Sequence, residues 1–238
     1  MKLKEPFLRK HIFIVLLFLT SSVYLAKSQE GWKLIKNGNG ILVYTKKHNE
    51  SHIKMVKTIM YLHTSLSSVV TLIDDTPNHL NWVYANKTSK VLKRIDKSTT
   101  VCYGQTDLPW PVSDRDFIAL VHISQDSITK EVDIISESKP DYIKETEDYI
   151  RLKNFRAVWR LTPEIEGLVR VEYELYIDPG GNIPTWLINM TIAKGPYKTM
   201  RNMQMEILLY KYKNATIPYI SEYSGHNSKE LSTEMDNK

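Results

Sequence analysis

Histidines are the side chains of this sequence best suited to proton transfer or metal binding, so their spacing is considered first. His48 and His52 are four residues apart but fall in a strand or turn region. His63 and His79 flank a predicted helix without a partner pattern. Each is interpreted as a surface histidine or as one with satisfied hydrogen bonds, and these spacings predict neither a catalytic site nor a metal site.

Motifs for other kinds of catalysis are absent from the sequence. There is no Gly-x-Ser-x-Gly nucleophile elbow, no His-Glu-x-x-His zinc motif and no phosphate-binding loop. Cys102 is the sole cysteine, which excludes an internal disulfide and a cysteine-rich metal site. The chain is therefore predicted not to be an enzyme and to carry no metal and no cofactor.

A charged pair at the start of a predicted strand is the next candidate for ligand chemistry. Arg115 and Asp116 come near the end of the string Asp107–Phe117, in which a proline-rich turn runs into an apolar, strand-like segment. The favoured interpretation is that the pair pins the turn at the start of its strand. The alternative is that Arg115 contacts the headgroup of a ligand.

A second informative stretch opens the last long amphipathic run of the chain. Asp178–Met190 combines a Gly-Gly turn with an Ile-Pro-x-Trp-Leu sequence, and apolar residues then recur at steps of three and four as far as Ile207. This spacing predicts a helix that starts at 183–186, runs past 205 and presents one broad apolar face. Pro196 lies inside this helix and should bend it, because proline cannot donate a backbone hydrogen bond.

Together the two stretches resemble the START family, the steroidogenic-acute-regulatory-protein-related lipid transfer domains, over roughly residues 31–210. The resemblance implies an α+β helix-grip fold, in which a curved antiparallel sheet wraps around a long C-terminal helix. Two short helices are expected near the N-terminal third. The resemblance also implies an apolar tunnel between sheet and helix.

One position departs from the pattern of that family. Many of its lipid-binding members carry a second arginine six residues after the first, projecting into the tunnel, whereas this chain has Val121 there. Recognition of a phospholipid or sterol headgroup is therefore not carried over. The tunnel suits a less polar ligand, or it uses another polar anchor, for which the candidates are Tyr103, Tyr173 and His122.

Two short helices are predicted after the first strands. Apolar residues from Leu66 to Ile73 have helical spacing and follow a capping residue at Thr64 or Ser65. A second short helix starts at Thr76–Pro77, with proline at the favoured first position.

Strands are predicted for most of the remaining chain. In the last two predicted strands, 149–161 and 168–177, apolar residues occupy the odd positions. This pattern predicts a hairpin with one buried face and one solvent-exposed face. The predicted strands are a hairpin over 32–44 and the segments 53–62, 90–95, 99–106, 116–123, 130–137, 149–161 and 168–177.

The first 28 residues have the features of a signal peptide. A basic segment precedes the apolar stretch Ile12–Leu19, and Ala26–Ser28 supplies small residues for cleavage before Gln29. The alternative is an uncleaved membrane anchor, although the apolar stretch is short for a bilayer span. The predicted organisation is a signal peptide over 1–28, one domain over 29–213 and a polar, mobile tail over 214–238, with export to the periplasm or the medium.

The basic character of the chain belongs largely to this leader. Residues 1–28 contain five of the 32 Lys and Arg residues and one of the 27 Asp and Glu residues. The rest of the chain is therefore close to neutral, and there is no electrostatic argument for nucleic acid as a partner.

The predicted function is to bind one hydrophobic small molecule, a lipid, in the tunnel for transfer or sensing outside the cytoplasm. The protein is expected to be a monomer that contacts membranes transiently. Two alternatives stay open: an enzyme of cyclase or hydrolase type using the same cavity, and a filled-core module that binds another protein. The residues predicted to contact the ligand, as walls or gates, are Trp82, Tyr103, Trp110, Arg115, Phe117, Val121, Trp159, Tyr173, Trp186, Met190 and Met200.

Overall fold

The computed structural model describes residues 31–48, 51–107, 113–164 and 167–223. The predicted signal peptide and its cleavage site lie outside these residues, and so does Trp110. The fold described below is formed by the residues from Lys33 onwards.

An antiparallel sheet is the main element of the fold. Within the described residues it has ten strands, in the order β1-β2-β3-β10-β9-β7-β6-β5-β4, and β8 pairs in parallel with β6. The strands are β1 (Lys33–Gly38), β2 (Ile41–His48), β3 (Ser51–His63), β4 (Asn86–Arg94), β5 (Thr99–Thr106), β6 (Arg115–Gln125), β7 (Val132–Ser138), β8 (Ile150–Arg151), β9 (Asn154–Pro163) and β10 (Leu168–Asp178).

The predicted strand over 149–161 is two strands that pair with different neighbours. Arg151 in β8 pairs with Asp116 in β6, and the next amide, that of Leu152, still donates to the carbonyl of Asp116 at 2.9 Å. From Asn154 onwards the chain pairs with β10 instead. The change of partner at Leu152–Lys153 interrupts the strand, and apolar periodicity does not report it.

Two helical segments follow β3, as predicted. Helix α1 (Leu66–Asp74) is capped by Ser65, whose hydroxyl accepts a hydrogen bond from the Ser68 amide at 3.1 Å. A 3-10 turn at Thr76–Asn78, with Pro77 in its first turn, leads into helix α2 (His79–Trp82).

The long C-terminal helix is interrupted before Pro196, where the backbone keeps helical dihedral angles. Helix α3 (Thr185–Thr191) and helix α4 (Lys194–Glu206) are separated at Ile192–Ala193. The break lies at the residues four and three positions before Pro196, because the proline ring clashes with the carbonyl four residues earlier and offers no amide proton. A last helical turn, α5 (Tyr210–Lys213), follows.

Residues 214–223 pack against the domain, although a polar, mobile tail was predicted for 214–238, and the rest of that tail lies outside the described residues. Ile220 is buried, and the side-chain amide of Gln125 exchanges two hydrogen bonds of 2.8 Å with the backbone of Ser221. The Glu222 carboxylate accepts hydrogen bonds from the amides of Leu66 at 2.9 Å and Ser67 at 2.8 Å. The packed region therefore extends to 223, and a negative charge sits at the N-terminus of α1, where the helix dipole favours it.

Replacing Glu222 with alanine is expected to lower the free energy of unfolding by about 1 kcal/mol, because two amides at the start of α1 lose their acceptor. Thermal denaturation of the variant measures the effect. Glu147, an exposed residue of the loop before β8, provides the control, since its replacement by alanine should leave stability unchanged. Equal melting temperatures for both variants would contradict a role of Glu222 in holding α1.

Candidate functional site

An apolar cavity of about 250 Å³ lies between the inner face of the sheet and the helices α1, α2 and α4. Helix α4 contributes Gly195, Pro196 and Thr199 to its wall, and α1 contributes Ile73 at its C-terminal end. The sheet and the C-terminal helix therefore leave a cavity between them instead of packing completely against each other.

Alternate residues of the central strands form the floor of the cavity. On β10 the odd positions Tyr173, Leu175 and Ile177 face it, and their partners across the hairpin on β9 are Trp159, Ala157 and Phe155. Because side chains alternate between the two faces of a strand, the charged even positions of β10 lie on the other side. On β6 the cavity residues are Phe117, Ala119 and Val121.

Aromatic rings make up much of one wall. The rings of Trp159 and Tyr173 are stacked, with centroids 4.0 Å apart and planes at 19°. Trp82 meets Trp159 edge-on with the centroids 6.0 Å apart. The result is a rigid, flat and largely apolar surface of the kind that binds hydrophobic groups.

A glycine opposite Phe117 allows its ring to lie against the sheet. Gly104 on β5 pairs with Phe117 on β6, and a Cβ at Gly104 would lie 2.3 Å from the tip of the Phe117 ring. That separation is far below van der Waals contact, so a side chain at Gly104 would displace the ring and reshape the cavity wall.

Three titratable side chains at the cavity are neutral. Burial raises the pKa of the Tyr173 phenol well above its ordinary value. Burial raises the pKa of the Cys102 thiol, which lies 3.3 Å from the Thr76 hydroxyl. Burial lowers the pKa of His79, against the opposing effect of its hydrogen bond to the Ile73 carbonyl at 2.8 Å.

Positive charge is missing from the described cavity wall. Its residues in the described ranges include no lysine and no arginine. Asp74 is the acidic residue of the described wall, and its carboxylate accepts a hydrogen bond of 3.0 Å from Arg94, which lies outside the cavity. The described residues also contain no cluster of three or more His, Cys, Asp or Glu side chains that could hold a metal ion.

The sequence from residue 22 to residue 208, most of the chain, matches the START domain. The chain belongs to the START domain family. The resemblance drawn from the two sequence stretches is thereby confirmed, and so is the helix-grip arrangement of a curved antiparallel sheet around a C-terminal helix.

Relatives of this START domain occur in bacteria and animals. An uncharacterised protein of Pseudomonas aeruginosa is 29% identical over 177 residues, which cover 74% of this chain and 86% of that protein. The phosphatidylcholine transfer protein of Bos taurus is 24% identical over 196 residues, covering 78% of this chain and 88% of the bovine protein.

A solved structure shares the fold closely. It is a fragment of a STAR-related lipid transfer protein from Xanthomonas axonopodis, superposed with a TM-score of 0.71 at 27% identity. The superposition covers 76% of this chain and 100% of the fragment. The similarity spans the sheet-and-helix core of both molecules.

Five of the residues predicted to contact a ligand line the cavity of this START domain. They come from four different elements, α2, β6, β9 and β10, and the curvature of the sheet brings them together. These residues are Trp82, Phe117, Val121, Trp159 and Tyr173.

Three other candidates point away from the cavity. Tyr103 packs with Val101 and Ile118 on the opposite face of the sheet, because its neighbour Cys102 faces the cavity and side chains alternate. His122 is exposed and contacts the Thr99 hydroxyl at 3.1 Å. Met200 is completely buried in the main core and contributes nothing to the cavity wall.

Trp186 and Met190, predicted as wall or gate residues, are not part of the described cavity wall. They are 68% and 67% exposed on α3. Helical periodicity placed them on the same face as Met200, but no residue of α3 is buried, whereas α4 buries Met200 and Met203.

Arg115 has the structural role that was favoured for it. The buried guanidinium donates to the carbonyls of Ser113, Pro179 at 3.0 Å and Gly180 at 3.1 Å. It thereby joins the start of β6 to the Gly-Gly turn after β10, and it is not part of the described cavity wall.

Sequence reasoning missed several cavity residues. Phe155, Ala157, Leu175 and Ile177 could have been found, since they occupy the apolar odd positions of the predicted hairpin. His79 had no such signal, because its position at the cavity depends on how α2 packs over the sheet.

Proposed function

We propose that this START domain binds one uncharged, largely apolar lipid in its cavity, for transfer or sensing outside the cytoplasm. The observation that carries this proposal is the apolar lining of the cavity, whose described residues include neither lysine nor arginine. Removal of each CH₂ group from water contributes roughly 0.8 kcal/mol, so a chain of about eight carbons would gain about 6 kcal/mol without any headgroup contact.

The relatives support a lipid as the class of ligand. The bovine protein is named for the transfer of phosphatidylcholine and the Xanthomonas protein for the transfer of lipid. A charged headgroup would have no cationic partner on the described cavity wall, and burying an unpaired charge is costly. An uncharged ligand therefore fits this chain better than a phospholipid enclosed with its headgroup.

The size of the cavity favours one chain or a small ring system. Its volume of about 250 Å³ is just below the usual range of small-molecule pockets, roughly 300–1,000 Å³. A larger lipid would need α4 to move away from the sheet, and the break before α4 offers a hinge for that motion.

The surface around α3 and α4 would contact the membrane while the lipid enters the cavity. Trp186 and Met190 are exposed one turn apart on α3. The exposed side chains of Lys194, Lys198 and Arg201 follow at helical spacing on α4. An aromatic and a thioether side chain beside three cations suit the interface of a membrane that contains anionic lipids.

None of the helices in the described part of the chain is long and apolar enough to cross a membrane.

A filled-core interaction module would lack a cavity of this size, so this alternative is less well supported. For the alternative of an enzyme, the residue of the described cavity wall best suited to proton transfer is His79. Because a carbonyl can only accept a hydrogen bond, the His79 Nε2 carries the proton that is donated to Ile73. With this ring neutral and engaged and Asp74 paired to Arg94, we propose binding without catalysis.

Mass spectrometry of the intact protein, purified under native conditions from the periplasmic or extracellular fraction, tests the proposal. We expect a bound neutral lipid in one-to-one ratio, recovered chemically unchanged in an organic extract. A protein that carries no lipid, and takes up none from vesicles of total lipid extract, would contradict the proposed function. Recovery of a modified lipid after incubation would instead favour the enzyme.

A further inference from the structure

Tyr173 occupies a fixed position in the middle of the cavity floor. It lies on β10 between two paired strands, opposite Thr58 on β3 and Trp159 on β9. Its ring stacks on Trp159 with centroids 4.0 Å apart, and the residue lines the cavity. Backbone pairing on both sides and stacking on one face together leave the hydroxyl little freedom to move.

The hydroxyl of Tyr173 differs from those of three other tyrosines in the fold, Tyr103, Tyr197 and Tyr212. Tyr212 donates to Asp75 at 2.7 Å, Tyr103 accepts from Gln105 at 2.9 Å and Tyr197 accepts from Asn39 at 2.7 Å. No hydrogen bond joins the Tyr173 hydroxyl to any residue in the described ranges. The hydroxyl is not among the buried side-chain atoms that lack a partner in the described residues, and Tyr173 is only partly buried, so a ligand in the cavity can reach it.

Trp82, in the same wall, has an unpaired donor that is buried below the cavity surface. Its ring contacts Trp159 on the side of the cavity, and its Nε1 is buried without an acceptor among the described residues. Trp82 and Tyr173 therefore flank Trp159 with two polar atoms that the protein itself leaves unpaired.

The charges around the cavity limit which ligand groups could pair with the Tyr173 hydroxyl. Burial keeps the Tyr173 phenol protonated, so it both donates and accepts. The described wall offers no lysine or arginine, and its one acidic residue, Asp74, is already paired with Arg94. A carboxylate or phosphate beside Tyr173 would be buried without a counter-ion, whereas a hydroxyl or carbonyl oxygen would be satisfied.

We propose that Tyr173 determines the specificity of the cavity by forming a hydrogen bond with a single uncharged oxygen, a hydroxyl or a carbonyl, on an otherwise apolar ligand. This inference rests on the proposed lipid-binding function and adds the functional group that the ligand must carry.

Octanol and octane, which differ by one hydroxyl, test the proposal together with the variant Tyr173→Phe. Their affinities follow from displacement of the neutral fluorophore N-phenylnaphthylamine. We expect Tyr173→Phe to bind octanol about three- to tenfold more weakly than the wild-type protein, the loss typical of one hydrogen bond. Its affinity for octane should stay the same or rise slightly, because only the hydroxyl has been removed.

Tyr103→Phe is the matched control, since its hydroxyl lies on the other face of the sheet. It should leave both affinities unchanged, and thermal denaturation should show Tyr173→Phe to be at least as stable as the wild-type protein. Equal weakening of octanol and octane binding by Tyr173→Phe would reduce Tyr173 to a packing role and overturn the proposal, as would no change for either. Failure of the wild-type protein to bind both probes would instead contradict the proposed function.

Discussion

Replacing Arg151 with methionine is expected to lower the free energy of unfolding by about 3–5 kcal/mol. Arg151 and Asp116 form a buried pair with hydrogen bonds of 2.8 and 2.9 Å, and their side chains are 1% and 2% exposed. The same guanidinium donates to the carbonyls of Pro140 at 2.5 Å and Ile143 at 3.1 Å. Without it, the Asp116 carboxylate would be buried without a counter-ion, and the loop before β8 would lose its attachment.

Urea denaturation measures this loss, with Arg156→Met as the control. Arg156 is paired with Glu137 at 3.4 Å, but both side chains are more than half exposed, so its replacement should change stability by less than about 1 kcal/mol. Adding Asp116→Asn to Arg151→Met should recover part of the stability, because the unpaired charge is removed. A loss for Arg151→Met no larger than that for Arg156→Met would show that the buried pair contributes little.

Replacing Ala157 with phenylalanine is expected to weaken lipid binding by at least about tenfold while the fold is retained. Ala157 lies on the cavity floor opposite Leu175, and the added ring would enter a space of about 250 Å³. Because that space is empty in the free protein, the substitution should avoid most of the 1–3 kcal/mol that added bulk costs in a packed core.

Titration with N-phenylnaphthylamine and thermal denaturation, performed on the same samples, measure both effects. Val171 is the matched control: it lies two residues before Tyr173 on the same face of β10 but is completely buried in packed core. Val171→Phe should be destabilised by about 1–3 kcal/mol. If Ala157→Phe unfolds as readily as Val171→Phe and binding is unaffected in the folded fraction, the cavity is not the binding site.

Much of the sheet could be predicted because the side of the sheet on which each side chain lies follows from its position along the strand. The apolar odd positions of β9 and β10 need only the two-residue repeat of a strand to be assigned to one face. The same repeat would have identified Ala157, Leu175 and Ile177 as cavity residues once the hairpin was assumed. The capping by Ser65 and the break before Pro196 follow from equally local chemistry.

The candidate site was harder to predict because it depends on distances between elements. Apolar spacing assigned Trp186, Met190 and Met200 to one helical face, yet the first two are exposed and the third is in packed core. Tyr103 and Tyr173 were equal candidates for a polar anchor, and only the pairing of their strands shows that one faces the cavity and the other does not.

Motifs and repeats of two to four residues were enough to predict the family, the order of the main elements and the inward face of the central hairpin. The packing of distant elements was needed to show that a cavity lies between sheet and helix and that its described wall has no cation. It also decided that Arg115 joins two loops and that the Tyr173 hydroxyl has no partner among the described residues. These features depend on how separate elements approach one another, and that geometry is set by packing across the whole chain.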